Sequence, residues 1–158
     1  MGKIIHTSYE DLRPRRDGDG DLYDYERRRA IPEGASRHCR VSFYRLEPGK
    51  SNYPYHYHLD REEVFYIVGG EGTLRTPDGE RTVRTGDLVF FPAGESGAHK
   101  LTNTSPDSPL LYIDFDTIAE TDVAVYPDSG KTGIWSPALG KVFRLADSVD
   151  YYDGEGKE

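Results

Sequence analysis

The chain has 158 residues, with 20 basic against 28 acidic side chains and a formal net charge of −8. That length fits one domain able to bury roughly two-thirds of its unfolded surface, and the acidic balance argues against a general affinity for nucleic acid or an anionic membrane. Apolar residues make up only 35%, but twelve tyrosines, seventeen glycines and ten prolines favour β structure joined by tight turns over disorder.

In chain order, residues 1–39 read as a polar, irregular N-terminal arm. Met1-Gly2-Lys3-Ile4-Ile5-His6 lacks the apolar run of a signal peptide, and His6 stands where myristoylation requires Ser or Thr. Asp17-Gly18-Asp19-Gly20-Asp21 is turn-rich and acidic, without the glutamate that would complete a calcium loop. Arg27-Arg28-Arg29 reads as a solvated face or subunit contact ahead of an anion site. Cys39 is the only cysteine, so an intramolecular disulfide is ruled out and nothing hints at an oxidising compartment. No segment approaches the ~18 apolar residues of a membrane span, and a cytoplasmic protein is the expectation.

From about 40 to 116 the pattern is strand, turn, strand. Predicted strands run over 40–46, 53–58, 63–68, 72–76, 80–85, 88–91, 99–104 and 110–115. Glu47-Pro48-Gly49, Gly69-Gly70, Pro77-Asp78-Gly79-Glu80 and Pro92-Ala93-Gly94 supply the turns. With no helical period between them, these strands predict an all-β antiparallel sandwich or barrel. The tail, 117–158, is less regular: 118–125 is a strand or a loop, 126–130 a turn, and Trp135, Val142, Phe143 and Leu145 could pack back on the barrel or on another subunit. Asp153–Glu158 is expected to be disordered.

The most informative pattern is His56-Tyr57-His58, with Glu63 following and His99 forty-one residues after His58. Two histidines one residue apart share a face of a strand, with Cα atoms about 7 Å apart. Glu63 and a third imidazole from a distant strand would complete a four-ligand site for one divalent transition metal. Imidazole and carboxylate donors suit Fe, Mn, Zn or Ni. Glu62 competes for the carboxylate position, but Glu63 shares a face with Phe65 and Ile67 by alternation. By the same alternation Tyr53, Tyr55 and Tyr57 face away from the histidines and form an exposed row suited to a subunit interface, as in a homodimer, or to a tail-packing surface.

Gly49, six residues, His56-Tyr57-His58, four residues, Glu63, six residues and Gly70 resembles the first motif of the cupin superfamily. Gly86-Asp87, four residues, Pro92-Ala93-Gly94, four residues, His99, three residues and Asn103 resembles the second. The family's usual forms have five residues before the first histidine and two before the last, so this chain is longer by one and by two. The resemblance implies a double-stranded β-helix, a small jelly-roll barrel of about 40–116 within a single domain, 1–158, flanked by irregular extensions. It also implies that His56, His58, Glu63 and His99 are the metal ligands. Within the superfamily the chain looks like small bacterial cupins labelled as sugar-phosphate isomerases.

Fold alone does not settle function. The reading is a metal-binding cupin acting on a small oxygen-rich molecule, a sugar or sugar-phosphate isomerase first. A dioxygenase or decarboxylase, or a non-catalytic sugar-binding module, are the alternatives. Glu62, Glu71, Tyr66 and Tyr112 are candidate acid–base groups by position, and Arg45, Arg75 and Lys100 are candidate anion partners that read as outward-facing. An acid directed at the open metal position would favour an enzyme; a wholly apolar lining would favour a binding module. Gly70, Gly86 and Gly94 are assigned to turns, and Asn103 to structural hydrogen bonding.

Overall fold

The structure is a computed structural model that describes residues 3–156, so Met1-Gly2 and the last two residues of the expected disordered end lie outside the described residues. Thirteen strands build the described chain: β1 (Arg15–Gly18), β2 (Asp24–Arg29), β3 (Cys39–Leu46), β4 (Tyr57–His58), β5 (Glu63–Gly69), β6 (Glu71–Thr76), β7 (Gly79–Arg84), β8 (Leu88–Phe91), β9 (Lys100–Thr102), β10 (Leu110–Thr117), β11 (Asp122–Tyr126), β12 (Lys131–Trp135) and β13 (Gly140–Arg144). One wall is a six-stranded sheet in the order β1-β2-β3-β10-β5-β8. The other joins β7-β6-β9 to β4-β11-β12-β13, and the seam between them is the segment 51–56, bridged by Ser51 to Thr102 and by His56 to His99. Every named strand pairing is antiparallel, and the two facing walls form a double-stranded β-helix. No helix of the described residues is long and apolar enough to cross a membrane.

The inward face of the six-stranded wall grades from apolar to charged. Leu110 pairs with Leu46, Tyr112 lies between Tyr44 and Ile67, Asp114 between Ser42 and Phe65, and Asp116 between Arg40 and Glu63. Each step of two residues along β10 keeps the same face and moves from a sealed core to a polar mouth. Leu46, Leu110 and Tyr112 are fully buried. Tyr44 stacks on Tyr112 at 5.2 Å between ring centroids and meets Phe65 through it, contacts each contributing about 0.5–1.5 kcal/mol beyond area burial. Their hydroxyls are satisfied: Asn52 Nδ2 donates to Tyr112 at 2.6 Å, and Tyr44 and Tyr53 share a 3.1 Å bond. Among the turns, Gly70 (φ +84°) is required twice over, since a Cβ there would lie 2.4 Å from the Pro109 carbonyl oxygen.

Three expectations change. The N-terminal arm is not irregular: β1 and β2 extend the six-stranded wall, and Asp19 joins them by accepting from the amides of Asp21 and Tyr23. The tail supplies β11 to β13, although Val142, Phe143 and Leu145 remain 43–51% exposed. The tyrosine row does not form. Only Tyr57 lies in a regular strand, because Pro54 interrupts the alternation that would have turned all three outward. Tyr53 enters the core beside Tyr25 and Tyr44, and Tyr55 is buried beneath the Arg75 guanidinium at 4.0 Å.

Candidate metal centre and pocket

His56 and His58 come from the seam and β4, Glu63 opens β5, and His99 precedes β9. The rings of His58 and His99 lie 5.0 and 4.9 Å from that of His56. Each imidazole uses Nδ1 in the same way. Nδ1 of His56 lies 2.9 Å from the Pro54 carbonyl, that of His58 2.7 Å from Asp122 Oδ2, and that of His99 2.9 Å from the Gly97 carbonyl. Carbonyl and carboxylate oxygens only accept, so Nδ1 carries the hydrogen and Nε2 is left with its lone pair. This is how metal-ligating histidines are held.

Glu63 completes the convergence, with Oε1 3.8 Å from His58 Nε2 and Oε2 3.3 Å from His99 Nε2. His56, His58 and Glu63 can each offer a ligand atom within 4.8 Å of the others. His99 Nε2 is buried without a hydrogen-bond partner. A lone pair facing a carboxylate in a dry interior is unsatisfied as it stands, and a divalent cation between them would satisfy both. The residues therefore fit a metal.

The electrostatics agree. Burial pushes His56 well below the usual histidine range and His99 down to about 4, keeping both neutral. Burial raises Glu63 to about 7, with His58 opposing. Asp114 is raised well above the usual carboxylate range by burial and by Glu63, and Asp116 is raised by burial.

Beside this group lies a cavity of about 350 Å³, the size of small-molecule sites. Arg27, Arg40, Arg61, Asp114 and Asp116 line it, and Tyr126 and Trp135 close one side. Tyr126 stacks on His56 at 5.8 Å, and burial pushes its hydroxyl up to about 12, so it is an O–H donor. The lining mixes these charged side chains with the rings of Tyr44, Tyr53, Tyr126 and Trp135.

Most of the positions singled out as acid–base or anion-binding candidates lie elsewhere. Glu62 is exposed and bonds Thr117 only through its backbone. Glu71 is exposed at a distant shallow groove, Tyr66 points outward, and Tyr112 is core. Arg45 pairs with Glu47 and Arg75 with Asp128, while Lys100 sits over Tyr23. Asn103 is wholly structural, bonding the Leu46 and Ser108 carbonyls and the Ser105 amide. The motifs did not expose Asp114, Asp116 or Asp122. A signal existed: Asp114 shares a face with Leu110 and Tyr112, and Asp122 with Ala124. A carboxylate on the buried face of a strand asks for a partner.

Residues 42–116 match the cupin domain family. A sugar phosphate isomerase of the cupin superfamily from Silicibacter pomeroyi superposes with a TM-score of 0.73 at 26% identity, covering 82% of each chain. Glucose-6-phosphate isomerase of Thermococcus litoralis is 32% identical over 109 positions, covering 54% of this chain and 56% of that protein. A predicted oxalate decarboxylase from Thermotoga maritima shares the fold, with a TM-score of 0.63 at 21% identity over 74% of this chain and all of that one. The paired glycine-flanked histidine strings, the antiparallel double-stranded β-helix around them and the family match identify residues 42–116 of this chain as a cupin domain.

Proposed function

We propose that this protein is a metal-dependent enzyme that acts on a small, oxygen-rich molecule, and that a sugar or sugar phosphate isomerised between carbonyl positions is its substrate class. His56, His58, Glu63 and His99 hold the ion, one of Fe, Mn, Zn or Ni. The observation that carries the metal is the shared use of Nδ1 as donor in all three histidines, which leaves three Nε2 lone pairs free, those of His58 and His99 lying 3.8 and 3.3 Å from Glu63. When bound, the ion supplies Lewis-acid polarisation of adjacent hydroxyl and carbonyl oxygens.

The charged side chains of the lining favour turnover over storage. Arg27, Arg40 and Arg61 offer guanidinium donors to substrate oxygens or to an anionic group, Tyr126 offers an O–H, and Trp135 offers a flat apolar face to a sugar ring. The likeness to a glucose-6-phosphate isomerase and to a sugar phosphate isomerase supports this substrate class.

A homodimer is part of the same proposal, supported by a different surface from the tyrosine row. Tyr66, Leu88, Phe90 and Phe115 are 42–65% exposed on the outer face of the six-stranded wall, beside β8, the strand at its open edge. An apolar face at an unpaired edge suits isologous pairing.

The test is elemental mass spectrometry of protein purified without a metal-affinity column, alongside the His56→Ala/His58→Ala variant, followed by assay on a panel of sugar phosphates. Stoichiometric metal lost in the variant, with interconversion of a sugar phosphate, is expected. Iron together with oxygen-dependent turnover would move the activity to a dioxygenase, and metal retained in the variant would place the ligands elsewhere.

A further inference from the structure

Glu63 belongs to two groups, not one. Besides facing the histidines, it offers a carboxylate oxygen within 4.8 Å of oxygens from both Asp114 and Asp116, which in turn lie within that distance of each other. Two oxygens on one ion lie at most twice the metal–oxygen distance apart, about 4.2 Å for magnesium and about 5 Å for calcium. The three carboxylates therefore stand at cation-sharing distance.

The cluster is not a set of solvated surface acids. Asp114 is only 5% exposed, and its Oδ1 is buried with no hydrogen-bond partner; Asp116 Oδ1 is in the same state. Among the described residues neither aspartate has an arginine or lysine nitrogen within ion-pair distance. The Arg61 guanidinium instead lies 3.3 Å from Asp122, and that of Arg27 3.7 Å from Asp17. Asp114 and Asp116 take two successive inward positions on β10, and a cation between them and Glu63 would supply the partner that their buried oxygens lack.

From this geometry we propose that Glu63, Asp114 and Asp116 hold a second divalent cation, which shares Glu63 with the histidine-held ion. The donor sets differ in kind. The first offers imidazole nitrogens, which favour zinc, iron or nickel; the second is all carboxylate, which favours a hard ion such as manganese, magnesium or calcium. The site rests on the proposed metal reading only through Glu63, and the experiment separates the two.

Full-length protein is stripped of metal, loaded with one equivalent of zinc, and titrated with Mn(II) while the free Mn(II) signal is followed by electron paramagnetic resonance. Zinc outcompetes manganese at the histidines, so Mn(II) reports the carboxylate site. One further equivalent of Mn(II) should bind, be displaced by magnesium or calcium in excess, and be lost in Asp114→Asn and Asp116→Asn, while zinc stays stoichiometric. Zinc retained with no Mn(II), Mg(II) or Ca(II) bound to the wild type would overturn the second site and leave the first standing. Mn(II) bound and lost in Asp114→Asn, with no zinc retained, would sustain the carboxylate site and overturn the histidine reading. Failure to take up either ion would overturn both. The wild-type stoichiometry decides by itself if a variant does not fold, and circular dichroism melts identify that case.

Discussion

His58 and Asp122, sixty-four residues apart, share a 2.7 Å hydrogen bond in which imidazole Nδ1–H donates to the carboxylate Oδ2. Asp122 is wholly buried and sits on β11, so the strand after the motif-bearing barrel fixes the ring of a motif histidine. Removing such an outer partner lowers metal affinity about 10- to 100-fold. Asp122→Ala should weaken zinc binding by that amount in competition with a chelating dye. Asp122→Asn, which keeps an acceptor oxygen but not the charge, should lose less. Equal affinity in both variants and wild type would remove Asp122 from the site.

Metal affinity should depend on pH through Glu63. A ligand carboxyl must be ionised, and with its pKa at about 7 roughly half the molecules carry a proton there at neutral pH. His99, at about 4, and His56, held well below the usual histidine range by burial and two neighbouring imidazoles, stay neutral from pH 6 to 8 and add nothing. Zinc affinity should fall about tenfold from pH 8 to pH 6. Calorimetry in buffers of different ionisation enthalpy should detect about half a proton released at pH 7. A flat profile over this range would show that no such carboxyl ligates the ion.

The same group sets a slope in the stability of the metal-free chain. A carboxyl whose folded pKa lies above its unfolded value binds more protons when folded, so its favourable contribution is full below about 4.5 and is lost as pH rises to about 7. Glu63→Gln removes that loss. Metal-free Glu63→Gln should therefore melt above the wild type at pH 8 and close to it at pH 4, while binding zinc far more weakly. Glu62→Gln, at an exposed side chain, should change neither property. The reverse ranking of the two variants for zinc would shift the ligand to Glu62.

The homodimer has its own test. Leu88 and Phe90 point outward from β8 at the open edge, 65% and 52% exposed. Leu88→Glu/Phe90→Lys should convert a dimer to a monomer in sedimentation velocity at micromolar concentration, with zinc content unchanged because neither residue reaches the cavity. A wild type that sediments as a monomer would exclude the dimer outright.

Legibility in the sequence followed the strength of local signals. The barrel strands from 39 to 117 were readable because period-two alternation and Gly/Pro turns coincide there. His56, His58, Glu63 and His99 could be put forward together from their motif spacing, and the structure gathers His56, His58 and Glu63 with ligand atoms within 4.8 Å and sets His99 Nε2 3.3 Å from Glu63. The arm escaped because β1 and β2 are built from Arg, Asp, Tyr and Glu, a composition that hides a half-buried strand whose polar side chains find partners: Arg16 with Asp24, Arg28 with Glu26. Tyr53 and Tyr55 were misassigned because alternation was carried through Pro54. Asp122, Tyr126 and Trp135 could not be joined to the site from sequence, since that union depends on β11 pairing with the two residues of β4.

Gly97 is a further case in which the sequence hides a requirement that the packing imposes. A Cβ at this position would stand 1.8 Å from the Pro92 carbonyl oxygen, so the 3-10 turn Glu95–Gly97 cannot close with any side chain there. The Gly97 carbonyl is also the acceptor for His99 Nδ1. Gly97→Ala must push the turn away from Pro92 and carry that acceptor with it. The expected result is a loss of about 2 kcal/mol in stability together with weaker zinc binding, because the ring of His99 loses its anchor. Gly69→Ala, where the added methyl meets nothing within 4 Å, is the matched control and should leave zinc affinity unchanged. Thermal melts and dye-competition titrations on both variants separate the outcomes: a Gly97→Ala protein that melts lower yet binds zinc as tightly as the control would show that His99 is positioned without the turn, or is not a ligand.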